Sequence, residues 1–230
     1  MNKMFVRALV CVFVLSLVSL AADRTLVTTK PVKGGHAAKA ERLDPALILL
    51  FGNLASADPK GLYYCCSGNI IAGPNNPDSF SPYSEAIQFT LASASHVKSI
   101  ATSVNYITAG VDTQFEFNIE ADASGVPSGT PLNAHPYKTT INSQTFGACC
   151  EVETKATGGT AGQSLAAGTY WIVWSATSST SDLAAEVNQA ILDQVDSAVV
   201  AYSASSGVTG SWTAYTTTLP FVVRVKGTTP

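Results

Sequence analysis

From Ala46 onward, short runs of β-branched and aromatic residues are separated by clusters of Gly, Pro, Asn and Ser, the texture of an antiparallel β-sandwich. The runs read as strands at 47–52, 69–72, 85–91, 97–107, 113–120, 137–142, 149–154, 169–176, 197–203 and 220–226. In 113–120, Phe115, Phe117 and Ile119 share one face, while Gln114, Glu116, Asn118 and Glu120 share the other. That alternation predicts a strand with one dry side and one wet side. In 169–176, Tyr170, Ile172 and Trp174 oppose Trp171 and Val173, so both faces are apolar and the strand is expected at the centre of a covered sheet. One stretch dissents: Leu183, Val187 and Ile191 recur at helical spacing, with Ser181 or Asp182 placed to cap. The spacing predicts a short helix near 182–193, with a long loop carrying one irregular strand as the alternative.

The amino terminus follows a different grammar. Lys3 and Arg7 precede an apolar run from Ala8 to Leu20 and the small residues Ser19, Ala21 and Ala22, which predicts a signal peptide over 1–21. The run is shorter than the roughly 20 residues that cross a hydrocarbon core, so no membrane span is expected after cleavage. Residues 22–45 read as a flexible basic leader, 46–227 as one sandwich domain and 228–230 as a tail. Residues 1–45 carry a net charge of +4 and residues 46–230 carry −7. An acidic domain lacks the footprint that binds phosphate backbones, which argues against a nucleic-acid partner. The chain is expected outside the cell, as a secreted protein, with the periplasm or cell surface as alternatives.

Four of the five cysteines come in doublets, Cys65-Cys66 and Cys149-Cys150, while Cys11 lies in the segment that export removes. In an oxidising compartment the doublets are expected to form disulfides. Pairing across the doublets closes a long loop without local strain; pairing within each doublet strains the intervening peptide and is the second reading. Zinc fits poorly, because thiolate sites favour two to four residues between paired ligands and these have none.

Other chemistry is thinly marked. Glu120, Asp122 and Ser124 alternate ahead of Gly125 like the opening of a calcium loop, yet Pro131 stands where the closing Glu belongs. A plain turn on Ser124-Gly125 and Pro127 explains the same letters, so no cofactor is assigned, with calcium as the secondary reading. Gly162-Gln163-Ser164 begins like a nucleophile elbow but lacks its closing glycine. His36, His96 and His135 stand in no catalytic motif. Glu116, Glu120, Glu151 and Glu153 could supply a carboxylate pair for a polysaccharide hydrolase, as any acidic sandwich could. Binding by aromatics is the stronger expectation. Tyr63, Tyr64, Trp212 and Tyr215 are the candidates, while Trp171 and Trp174 read as core.

Several short segments occur in a recognisable order. They are Leu50-Phe51-Gly52-Asn53-Leu54, Tyr64-Cys65-Cys66, Ala86-Ile87-Gln88-Phe89-Thr90, Asp122-Ala123-Ser124-Gly125-Val126-Pro127, Phe146-Gly147-Ala148-Cys149-Cys150, Leu165-Ala166-Ala167-Gly168-Thr169-Tyr170-Trp171, and Trp212 before Leu219-Pro220-Phe221. Residues 46–227 thereby resemble the bacterial exported domains called choice-of-anchor proteins, the R-type subgroup most nearly. The resemblance implies a jelly-roll-like β-sandwich displayed or released outside the cell and transfers no catalytic residue. The carboxyl-terminal anchor of that group is lacking, so release is expected. Two functions follow as expectations: a module that binds carbohydrate or a surface polymer, and a structural or adhesive protein that self-associates.

Overall fold

The computed structural model describes residues 47–52, 69–77, 79–105, 113–134, 137–141, 150–155, 162–177, 179–185, 198–204, 210–217 and 221–230. Among these the chain is all-β, in two antiparallel sheets that enclose a common core. Sheet A contains β1 (Ile48–Gly52), β2 (Ile70–Ala72), β4 (Ser95–Asn105), β8 (Cys150–Lys155), β9 (Gln163–Leu165), β11 (Asp182–Ala185) and β14 (Val223–Thr228). Sheet B contains β3 (Ser84–Leu91), β5 (Thr113–Asp122), β6 (Pro127–Pro131), β7 (Tyr137–Ile141), β10 (Gly168–Ala176), β12 (Ala198–Ser203) and β13 (Thr213–Thr217). Sheet A runs β1-β14-β4-β11-β2, with β8 and β9 also on β4; sheet B runs β13-β12-β3-β10-β5-β6, with β7 also on β5. The chain crosses between the sheets from β3 to β4 and again from β4 to β5, as a sandwich requires.

The alternation of apolar residues decides which face of each strand turns inward. Phe115, Phe117 and Ile119 of β5, Ile172 and Trp174 of β10, and Ile87 and Phe89 of β3 meet Val97, Ile100, Val223 and Val225 of sheet A. Phe117 stacks on Trp174 at 5.6 Å, and Phe115 and Phe221 pack against the same indole. Each fully buried side chain of this size contributes about 1.5–3 kcal/mol. Tyr137 reaches across the core from β7 and donates its hydroxyl to the Val97 carbonyl at 2.9 Å. Burial pushes that hydroxyl up to about 12, so it remains a donor at any ordinary pH.

Strand β10 is central, as its two apolar faces predict: it pairs with β3 on one side and β5 on the other, and Trp171, Ile172, Val173 and Trp174 are all buried. In sheet A the register between β14 and β4 shifts between Lys226 and Gly227. A Cβ at Gly227 would collide with the His96 carbonyl, so this close crossing requires glycine.

Two expectations need correction. Asp182–Ala185, the start of the expected helix, is β11, and residues 186–193 lie outside the described residues. Pairing with β2 and β4 prevails over the helical spacing there. Ser181, placed to cap a helix, instead accepts the Gln114 N–H at 3.1 Å. The wet side of β5 is also only half wet, because Asn118 and Glu120 are buried. Strands β6, β9 and β13 were not legible in the pattern, and β11 was anticipated only as the irregular-strand alternative to the helix. Two prolines and a glycine disguise β6 as a turn, β9 is three residues long, and β13 is mostly threonine.

Candidate functional site

Sheet B carries two groupings of functional side chains. The first lies on the face of β5 that points away from the core, where Glu116, Asn118, Glu120 and Asp122 occupy alternate positions. Across from them on β10 stand Ser175, Val173 and Trp171, the last opposite Glu120. Asp122 accepts the Trp171 indole N–H at 2.7 Å and the Gln88 amide at 3.1 Å on Oδ1, and the Gly125 N–H at 3.1 Å on Oδ2. Desolvation pushes the Asp122 carboxyl up, but the bonds from Trp171, Gly125 and Gln88 together outweigh it and hold the group below its ordinary range. The next residues make a tight hairpin: Ala123 N–H bonds the Val126 carbonyl at 2.8 Å, and Ser124 and Gly125 have φ of 60° and 88°. Positive φ at both central positions is the signature of a type I′ turn, which glycine accommodates without strain.

Glu120 is fully buried, and its Oε2 accepts the Gly129 N–H at 2.5 Å. Burial pushes its carboxyl up to about 7, against the opposing hydrogen bonds from Gly129, Thr130 and Ser128. The calcium candidates Glu120, Asp122 and Ser124 therefore sit on one strand and its turn, with both Asp122 oxygens accepting N–H donors. Among the described residues no three His, Cys, Asp or Glu side chains gather as a metal site.

The carboxylates considered for hydrolysis are divided between the sheets. Glu116 on β5 accepts the Asn118 amide at 2.9 Å and lies 3.6 Å from Lys138. Glu153 is on β8 of sheet A, where it accepts the Ser99 hydroxyl at 2.6 Å and lies 3.9 Å from Lys226. Glu151 is placed by its backbone opposite Ser103. Sequence reading treated His96 and Ser164 separately, yet β4 and β9 set His96 Nδ1 2.7 Å from Ser164 Oγ at the surface. Among the described residues no carboxylate bonds this imidazole.

The second grouping is at the opposite edge of sheet B. Val200 on β12 faces the core, so Tyr202, two residues on, and Tyr215, opposite Val200 on β13, share its face. Tyr83, just before β3, stacks on Tyr202 at 6.1 Å and 17°, and Tyr202 meets Tyr215 edge-on at 5.9 Å. The three rings form a run outward from the core, ending at Tyr215, which is 39% exposed. Trp212 lies on the other face, packed with Ala214 and Val199 against Trp171, Val173, Ala86 and Ala201. The structure thus separates Trp212 from Tyr215 and adds Tyr83 and Tyr202, which only the strand order β13-β12-β3 brings together. Tyr63, Tyr64, Cys65, Cys66 and Cys149 lie outside the described residues. Cys150 is placed by its backbone opposite Val104. No protein-family model, no curated protein and no solved structure matches the chain.

Proposed function

We propose that this chain is an exported, disulfide-linked, non-catalytic β-sandwich that binds a carbohydrate or surface polymer at the β12–β13 edge of sheet B. The observation that carries the reading is the tyrosine run ending in exposed Tyr215. Tyrosine rings offer a flat apolar face for the C–H side of a sugar and a hydroxyl for its polar rim. Thr213, two residues before it on the same face of β13, is exposed and adds a hydroxyl. The signal-peptide pattern and the resemblance to choice-of-anchor domains support an extracellular location. Glycan-array binding by the full mature chain tests the reading: Tyr215→Ala should abolish the signal while Glu116→Gln leaves it. A signal that survives Tyr215→Ala would remove the tyrosine edge from the account.

A second reading, self-association as a structural or adhesive protein, has one observation in its favour. The edge strand β1 is Ile-Leu-Leu-Phe-Gly and exposes Ile48 by 46% and Leu49 by 62%, without a charge or proline to discourage pairing. Sedimentation of the mature chain over a range of concentrations distinguishes it: assembly without any glycan signal favours this reading over the first.

A further inference from the structure

The two sheets end unevenly on the flank that carries Tyr215. Sheet A ends in β1, which packs over β3 through Phe51 and Phe89, their ring centroids 5.7 Å apart. Sheet B runs two strands further, through β12 to β13. At the usual spacing of about 4.8 Å between paired strands, these two make a ledge about 10 Å wide. Exposure rises outward along its core-side face: Val200 is buried, Ala198 and Tyr202 are half-buried, and Thr213 and Tyr215 are exposed. Above the ledge stands the far edge of β1, which pairs only with β14 among the described residues and exposes Ile48 and Leu49 without a charge. An unguarded edge over a half-covered floor is a template for one more strand.

The width of the ledge decides what fits. A second copy joined β1 to β1 about a two-fold axis would carry its own ledge into the same space, which the step does not accommodate. A single extended segment fits, and the chain supplies one ahead of β1. Residues 25–29, Thr-Leu-Val-Thr-Thr, match the five residues of β1 in length, and all but Leu26 are β-branched. Leu26 and Val27 are adjacent, so one of them faces the floor whichever side turns in. Arg24 and Lys30 flank the run with charge opposite to the −7 of residues 46–230. We propose that residues 25–29 fold back antiparallel on β1 of the same chain, as an added edge strand of sheet A above β12. The 18 residues of 30–47, with Pro31 and Gly34-Gly35, return the chain, and so short a tether holds the segment at an effective concentration of about millimolar. The added strand takes the edge on which the self-association reading depends. It leaves Tyr215, one strand further out on β13, uncovered, and so does not rest on the carbohydrate reading.

The test is amide hydrogen exchange and cross-strand NMR contacts on the full mature chain. The β1 amides that point away from β14 should be protected at least about tenfold over open chain, with contacts between residues 25–29 and 48–52, and dilution should change neither. Leu26→Pro combined with Val27→Pro removes two adjacent amide donors, one of which must point at β1. In that variant the protection of those β1 amides should vanish while the β10 amides stay protected. Fast exchange along the outer edge of β1 in the natural chain, or protection unchanged in the variant, would overturn the added strand. Protection that disappears on dilution would mean a segment from another copy and would overturn the fold-back. The cross-strand contacts in the unsubstituted chain decide the matter even where the variant fails to fold: their presence supports the added strand, and their absence refutes it.

Discussion

At one edge of sheet B, where β5 meets β6, Asp122 collects an indole, an amide and a backbone N–H, and Glu120 takes the Gly129 N–H. At the other edge, where β12 meets β13, three tyrosines run outward and Tyr215 leaves over a third of its surface in solvent. The first edge uses its polar groups to hold itself together. The second holds itself by backbone pairing from Ala198–Thr217 to Tyr202–Thr213. Under the proposed function, the acidic row serves the fold and the exposed ring serves binding.

The common core beneath both edges sets the scale for breaking this contrast. Trp174→Ala, which empties the space between Phe115, Phe117 and Phe221, should cost about 3–5 kcal/mol in denaturant unfolding. Asp122→Ala should cost about 1–3 kcal/mol, because it strips the acceptor from the buried Trp171 indole N–H. At Glu120 the effect depends on pH. Its folded carboxyl is raised to about 7, so the stability tied to its neutral form is fully present below about pH 4.5 and is lost as pH rises through about 7. Glu120→Gln should remove that decline, gaining roughly 1–3 kcal/mol over the natural chain at about pH 8, as thermal unfolding at two pH values would show. Tyr215→Ala sits at the other extreme: less than about 1 kcal/mol in stability, with the loss falling on binding instead. A Tyr215→Ala chain that unfolds as readily as Trp174→Ala would erase the distinction between the two edges.

Much of the fold was legible because period-two alternation reports burial directly. Phe115, Phe117 and Ile119 point inward as their spacing predicts, and β10 is central because both its faces are apolar. Where the pattern failed, a long-range partner had prevailed over a local preference. Asp182–Ala185 is a strand because β2 and β4 need its backbone, and β6 is a strand although its prolines read as a turn. Burial of Glu120 could not be read from alternation either, since the pattern tells which face a residue is on and not what covers that face. The candidate site was half legible. Tyr215 stood out as an aromatic in a polar stretch, but Tyr83 and Tyr202 become its neighbours only through the strand order, and Trp212, named as a candidate with it, lies on the opposite face. The cysteine doublets remain an expectation testable by non-reducing peptide mapping. Cleavage between Cys66 and Cys149 should leave the two fragments joined until reductant is added, and separation without reductant would assign the bonds within each doublet.

The most direct test of the contrast between the edges is to titrate the best-binding polysaccharide from the array into isotope-labelled mature protein and map the amide shifts. The account predicts shifts clustered on Val200 to Tyr202 and Thr213 to Thr217, with Glu116 to Asp122 and Pro127 to Pro131 unmoved. Shifts centred on β5 and β6 with a silent β13 would contradict it.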